Sequence, residues 1–247
     1  MRIIVVENYE EMSKRAAKMI ASQVILKPDS VLGLATGDTP LGMYKELVEL
    51  YNKKEVDFSE IRTFNLDEYY GLNRENSQSY YSYMINNLFN YININIENVN
   101  VPSGMVEDIN TVCLEYENKI KEAGGIDMQV LGIGGNGHIG FNEPDVNFEA
   151  ETHLVNLDEQ TIKANSRFFD SINDVPVKAI SMGIKTIMNS RKIILLASGK
   201  SKAEVIERAV KGKINPNIPA SILQLHNDVT IILDKDAASY LDKVRIL

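Results

Sequence analysis

The chain has 247 residues, 44% of them apolar and 24% charged, and carries a formal net charge of −8 with a pI near 5.0. That length suits one large α/β domain spanning residues 1–247, and the acidic balance supplies no basic stripe to neutralise nucleic-acid phosphates, although local lysines and arginines leave small anionic ligands open. The single cysteine, Cys113, cannot form an internal disulfide and fits a reducing compartment, the cytoplasm, and no apolar run approaches a membrane span.

Residues 2–6, Arg-Ile-Ile-Val-Val, have the composition of a buried strand rather than of a signal peptide. Asn8 followed by Glu11 forms a capping box for a helix to about residue 25, with Met12, Ala16, Met19, Ile20 and Val24 on its core face. Residues 30–34 are a second strand, ending in Ala35-Thr-Gly-Asp-Thr39. Pro40 then suits the first helical position, with Thr39 as cap, and the helix runs to about residue 53. A strand, a Thr/Gly turn and a helix start form a natural anion site, because backbone N–H groups and the helix dipole both favour negative charge. Thr36 and Thr39 add hydroxyls, and the absence of a Gly-Lys-Ser/Thr ending disfavours ATP. Read alone, the stretch serves equally well as a simple capped turn.

Residues 61–65 are a third strand running into Leu66-Asp-Glu-Tyr-Tyr-Gly71. Adjacent acids at a strand end face opposite ways, so one points into a site and the other away; Asp67 is taken as the inward one. Residues 73–79 are polar loop, and residues 80–89 are helical with aromatic packing. Residues 109–123 form an amphipathic helix closed by Gly124-Gly125.

The next strand, residues 128–131, ends in Leu131-Gly-Ile-Gly-Gly-Asn-Gly-His-Ile-Gly-Phe-Asn-Glu-Pro144. Five glycines allow close backbone approach to a ligand, and His138 and Glu143 sit within hydrogen-bonding reach for proton transfer. A dinucleotide fingerprint fits poorly, since Pro144 and Asp145 break the chain where such a motif opens a helix. Residues 152–157 form a strand, 158–166 a helix, 176–182 and 192–197 two more strands, and 185–190 a short helix between them. Ser198-Gly-Lys-Ser-Lys202 opens a helix to about residue 210; two lysines in a first turn oppose the dipole, which suits either an anionic ligand or a solvated turn. Residues 218–225 lead to His226, residues 229–234 are the last strand, and a terminal helix starts at Ala237. Strands alternating with helices specify an α/β fold with a mostly parallel, three-layer sheet. His138, His153 and His226 are too scattered for a zinc set, so no metal is expected.

Asn65-Leu-Asp-Glu-Tyr69 combined with Gly134-Gly-Asn-Gly-His-Ile-Gly-Phe-Asn-Glu-Pro144 resembles the glucosamine-6-phosphate deaminases of the glucosamine/galactosamine-6-phosphate isomerase family. The Leu34-Ala-Thr-Gly-Asp-Thr-Pro40 turn, Ala164-Asn-Ser-Arg-Phe-Phe-Asp170 and Ser221-Ile-Leu-Gln-Leu-His226 follow in that family's order. The resemblance implies a Rossmann-like α/β/α fold, no cofactor, and conversion of glucosamine 6-phosphate and water to fructose 6-phosphate and ammonia. It implies Asp67 as the base for the C2 proton, His138 as the ring-opening residue, and Glu143 and Asn136 as its partners. The phosphate falls to Thr36, Gly37, Asp38, Thr39, Arg167 and Lys202.

Two departures refine that expectation. Asn136 stands where many members carry Asp, so a neutral amide orients His138 without adding charge. Residues 145–155, where allosteric hexamers bind an acetylated sugar phosphate through Ser, Arg and Lys, hold acids and His153 instead. With the chain ending at Leu247, a non-allosteric enzyme is expected, a monomer rather than a hexamer. The rival readings are a 6-phosphogluconolactonase, which would not need Asp67, and a sugar-phosphate-sensing module, which usually carries a DNA-binding segment; none is visible here.

Overall fold

The computed structural model describes residues 1–241. In chain order the elements are β1 (Arg2–Val6), α1 (Tyr9–Leu26), β2 (Val31–Leu34), α2 (Asp38–Asn52), β3 (Arg62–Asn65), β4 (Asp67–Tyr69), α3 (Tyr80–Asn87), β5 (Val99–Asn100) and α4 (Ile109–Glu122). They continue with β6 (Met128–Leu131), β7 (His153–Asn156), α5 (Glu159–Asn165), β8 (Lys178–Ser181), α6 (Ile184–Met188), β9 (Lys192–Ala197), α7 (Ala203–Lys211) and β10 (Val229–Asp234).

Seven strands form one sheet in the order β1-β10-β9-β6-β2-β3-β5, with every pairing parallel. Parallel strands covered on both faces must be apolar throughout, and β2, β6 and β10 are buried at every position. The polar exceptions are Gln129 in β6 and Thr230 and Asp234 in β10, and Gly33 of β2 makes room for Gln129: a Cβ there would lie 2.0 Å from its amide oxygen. The sheet grows in opposite directions from β2 and β6, through β3 and β5 on one side and β9, β10 and β1 on the other. The crevice at such a switch point is where open α/β sheets take ligands.

Helix α1 packs as its periodicity predicts, with Met12, Ala16, Ile20 and Val24 buried and Met19 partly buried against the core. Asn8 Oδ1 accepts the Glu11 N–H at 3.0 Å, while Glu11 reaches back one residue further than expected, to the Glu7 N–H at 3.0 Å. Gly124 and Gly125, both at φ +83°, close α4 as predicted.

Four expectations are corrected. Helix α2 begins at Asp38, not Pro40, and Thr39 is no cap: Gly37 at φ +97° turns the chain straight into the helix without a side-chain cap. Residues 200–202 form a separate 3-10 turn, so α7 starts at Ala203. Residues 237–240 are turn and Leu241 a bend where a terminal helix from Ala237 was expected, and the rest of that expected helix, residues 242–247, lies outside the described residues. The strands at β7 and β8 exist, but they join β4 in a second, antiparallel sheet of order β4-β8-β7. That small sheet carries Asp67 at its edge and stands over a satellite apolar cluster of Tyr69, Phe141, Leu157 and Ala179. Among the described residues no helix is long and apolar enough to cross a membrane.

Candidate active site

The ends of β2 and β6 and the start of β4 open on one cavity of about 570 Å³. Its lining includes Thr36, Gly37, Asp38, Thr39, Asp67, Asn136, His138, Arg167 and Lys202, with Tyr69, Tyr80 and Phe141 at the apolar wall. Glu143 lies just behind the wall, bonded to His138.

At the β2 end, residues 35–39 are fixed by three tyrosines, one each from α1, α2 and α3. Tyr44 Oη donates to Ala35 O, Tyr83 Oη to Gly37 O at 2.7 Å and Tyr9 Oη to Asp38 O at 2.8 Å. With those carbonyls occupied, the uncapped N–H groups at the start of α2 are the polar groups left for an anion. Sequence reading placed these tyrosines in the core or passed them over, since their partners are backbone atoms distant in the chain.

Two cations flank this turn. Arg167 stands in the 3-10 turn Ser166–Phe168 that extends α5, and its Nη2 bonds Asp38 Oδ2 at 2.7 Å. Asp38 therefore presents a paired carboxylate. Lys202 donates to Ile133 O at 2.7 Å, and burial, reinforced by the nearby Arg167 charge, pulls its ammonium below the usual lysine range. Of the two lysines in that turn only Lys202 reaches the cavity; Lys200 is exposed.

Asp67 is 7% exposed. Burial, reinforced by the adjacent Glu68 charge, pushes its carboxyl up to about 8. Glu68 is turned away, as expected of the second acid, but it is buried rather than solvated. Its carboxylate accepts the N–H groups of Tyr69 (2.8 Å), Tyr80 (2.9 Å) and Tyr81 (3.0 Å), so it caps the first turn of α3 alongside Ser79.

Across the cavity, His138 Nδ1 lies 3.0 Å from Glu143 Oε2. The same oxygen accepts Asn136 Nδ2 at 2.7 Å, Asn136 Oδ1 accepts the His138 N–H at 3.2 Å, and Thr161 Oγ1 donates to Glu143 Oε1 at 2.6 Å. Burial raises the Glu143 carboxyl, but the bonds from His138, Thr161 and Asn136 outweigh it and hold the group below its ordinary value. An ionised Glu143 keeps the imidazole proton on Nδ1 and leaves Nε2 for a ligand. The ring lies so close to the loop backbone that a Cβ on Gly134 would sit 2.4 Å from it. Gly140, at φ +58°, brings the loop beside Asp67, whose Oδ2 would lie 3.8 Å from an added Cβ. The loop that carries His138 thus passes beside Asp67, and both residues line the one cavity.

The other two histidines lie elsewhere. His226 is 9% exposed, with Nε2 at 2.7 Å from Ser190 O and Nδ1 accepting the Asp228 N–H at 3.0 Å. His153 sits in β7 against Glu151 O. The residues just before the Ser221-to-His226 motif, not the motif itself, support the loop: Ala220 N–H bonds Gly137 O at 2.9 Å, and Ile218 packs against Gly137.

Fold and cavity together define a Rossmann-like α/β enzyme with its ligand crevice at the switch point of the sheet. Residues 6–232 match the family described as glucosamine-6-phosphate isomerases/6-phosphogluconolactonase, and the chain belongs to that family. A glucosamine-6-phosphate deaminase of Clostridium botulinum (strain Loch Maree / Type A3) is 69% identical over 242 residues, covering 98% of this chain and 99% of its own. One from Clostridium novyi (strain NT) is 65% identical over 241 residues, covering 98% and 100%. Among solved structures, a monomeric glucosamine-6-phosphate deaminase superposes with a TM-score of 0.95 at 46% identity, covering 97% of this chain and 100% of its own. The 6-phosphogluconolactonase of Trypanosoma cruzi shares the fold at a TM-score of 0.77 and 21% identity, covering 97% and 96%.

Proposed function

We propose that this enzyme deaminates and isomerises glucosamine 6-phosphate, taking up water and releasing fructose 6-phosphate and ammonia. The observation that carries the reading is a desolvated, unpaired Asp67 facing the same cavity as the His138–Glu143 pair and the anion-ready start of α2.

The phosphate docks on the N–H groups of residues 36–39, with Arg167 and Lys202 supplying positive charge; Asp38 contributes its backbone while its carboxylate steadies Arg167. Binding this remote end supplies the positioning energy for the reacting carbons. His138 Nε2 moves a proton from the anomeric hydroxyl to the ring oxygen, opening the sugar to its aldehyde. Glu143 stabilises the transient imidazolium, and Asn136 fixes the pair. Asp67 then removes the C2 proton; the electrons pass to the C1 carbonyl, whose oxygen is protonated to give the enolamine. Return of a proton to C1 yields the C2 imine, water adds at C2, and the C–N bond breaks to release ammonia.

A carboxylate stripped of water is a stronger base than a solvated one, and the substrate's own ammonium favours its ionised form in the complex. The same reading makes the protein a monomeric, cytoplasmic enzyme of amino-sugar breakdown, supported by the monomeric solved relative and the one buried, unpaired cysteine.

Ammonia release from glucosamine 6-phosphate tests the proposal. The wild type is expected to turn over, and Asp67→Asn to lose at least about a hundredfold in kcat. No ammonia from the wild type, with hydrolysis of 6-phosphogluconolactone instead, would reverse the assignment; full turnover by Asp67→Asn would remove Asp67 as the base.

A further inference from the structure

Glu143 has two oxygens with different jobs. Oε2 serves His138 and Asn136, both within the glycine-rich loop. Among the described residues Oε1 is held by Thr161 alone, and Thr161 belongs to α5, outside that loop. The threonine is 6% exposed and its bond is short, at 2.6 Å. A carboxylate gripped only on one oxygen can swing about its Cγ–Cδ bond; donors on both oxygens fix its plane, and with it the direction in which Oε2 meets the imidazole.

We propose that Thr161 is a positioning residue for ring opening: its hydroxyl locks the Glu143 carboxylate in the orientation that presents Oε2 to His138 Nδ1. The inference rests on the ring-opening role given to His138 above. It extends that role to an element with a second stake in the cavity. Helix α5 and its 3-10 extension also carry Asn165, which lines the same cavity, and Arg167, bonded to Asp38 at the anion turn. One short strap therefore ties the imidazole–carboxylate pair at one end of the cavity to the anion site at the other. Seating Arg167 on a phosphate and seating Thr161 on Glu143 are two contacts of a single rigid piece.

Thr161→Val removes the hydroxyl at almost constant volume, and Thr161→Ser keeps it. Should the valine variant fold poorly by thermal unfolding, Thr161→Ala carries the same comparison. Loss of the bond is expected to lower kcat about tenfold or more with KM within about twofold, because charge-assisted bonds of this kind act on geometry rather than on phosphate binding. The Glu143 carboxyl, followed by NMR titration of the ligand-free protein, should ionise at higher pH in the valine variant, since Thr161 is one of the donors that keep it low. Thr161→Ser should restore both. Unchanged kcat and an unmoved Glu143 titration in the valine variant overturn the proposal, and so does a serine variant that loses as much as valine, which would mark a packing role. The His138 Nδ1 proton, followed by NMR in the ligand-free protein, separates this inference from the reaction itself: if the wild type released no ammonia, loss of that signal in Thr161→Val and its retention in Thr161→Ser would still decide whether Thr161 orders the pair.

Discussion

Asp67 meets neither a cation nor a hydrogen-bond donor among the described residues, and its carboxyl titrates near 8 because of burial and Glu68. The pH profile follows. In kcat/KM, which reports the free enzyme, activity should climb on a limb near pH 8; in kcat the limb should lie lower, since the bound ammonium favours the carboxylate. A kcat/KM limb near the ordinary value of 3.8 would mean a solvated Asp67. The sign for stability runs the same way. A carboxyl raised on folding favours the protonated fold, so its contribution is intact below about 4 and is lost as pH rises to about 8. Thermal unfolding should find Asp67→Asn more stable than wild type at pH 8, with the gap closing toward pH 4; parallel curves would contradict the burial argument. The grouping of Asp67, His138 and Glu143 was readable in the sequence because each stands beyond the end of a parallel strand, β3 or β6, where a charge or a cluster of glycines has no packing purpose. Thr161 was not, since it occupies an ordinary helical position and its partner lies 18 residues back on another element.

Among the elements, α3 shows how one side chain joins two pieces of secondary structure. Glu68 leaves β4 and takes the N–H groups of Tyr80 and Tyr81, closing an eight-residue helix onto the strand that carries Asp67. Glu68→Gln keeps one acceptor and sets an amide against a remaining N–H, so it should lower stability by about 1–3 kcal/mol. It also removes a neighbouring negative charge, so the Asp67 limb should move to lower pH. A stability loss without that movement would detach the two acids electrostatically. The parallel strands were legible as buried apolar runs. The antiparallel β4-β8-β7 sheet was not: its strands have three or four residues each, and nothing local says which sheet so short a run will join. The start of α2 was misplaced for a similar reason, because a glycine at positive φ replaces the side-chain cap that sequence reading looks for.

For the molecule as a whole, the layout of the sheet decides both where the site lies and how the chain gets there. The cavity sits between β2 and β6, the neighbours from which the sheet spreads in both directions, and that position followed from alternating strands and helices once the order of strands was known. The order itself was not readable, since parallel strands carry no local record of their partners. Pairings of this kind are separated by long stretches of chain, so refolding from denaturant should take on the order of seconds or longer, with activity returning no faster than native helix content; recovery within milliseconds would show that the sheet assembles from local units. The pairing of β1 with β10 carries this furthest. On the ribosome, the Ile-Ile-Val-Val ribbon emerges long before the neighbour with which it pairs, since most of the described chain lies between the two. Until residue 234 has cleared the exit tunnel that strand lacks its partner, and the growing chain carries an unpaired apolar ribbon open to association with other chains.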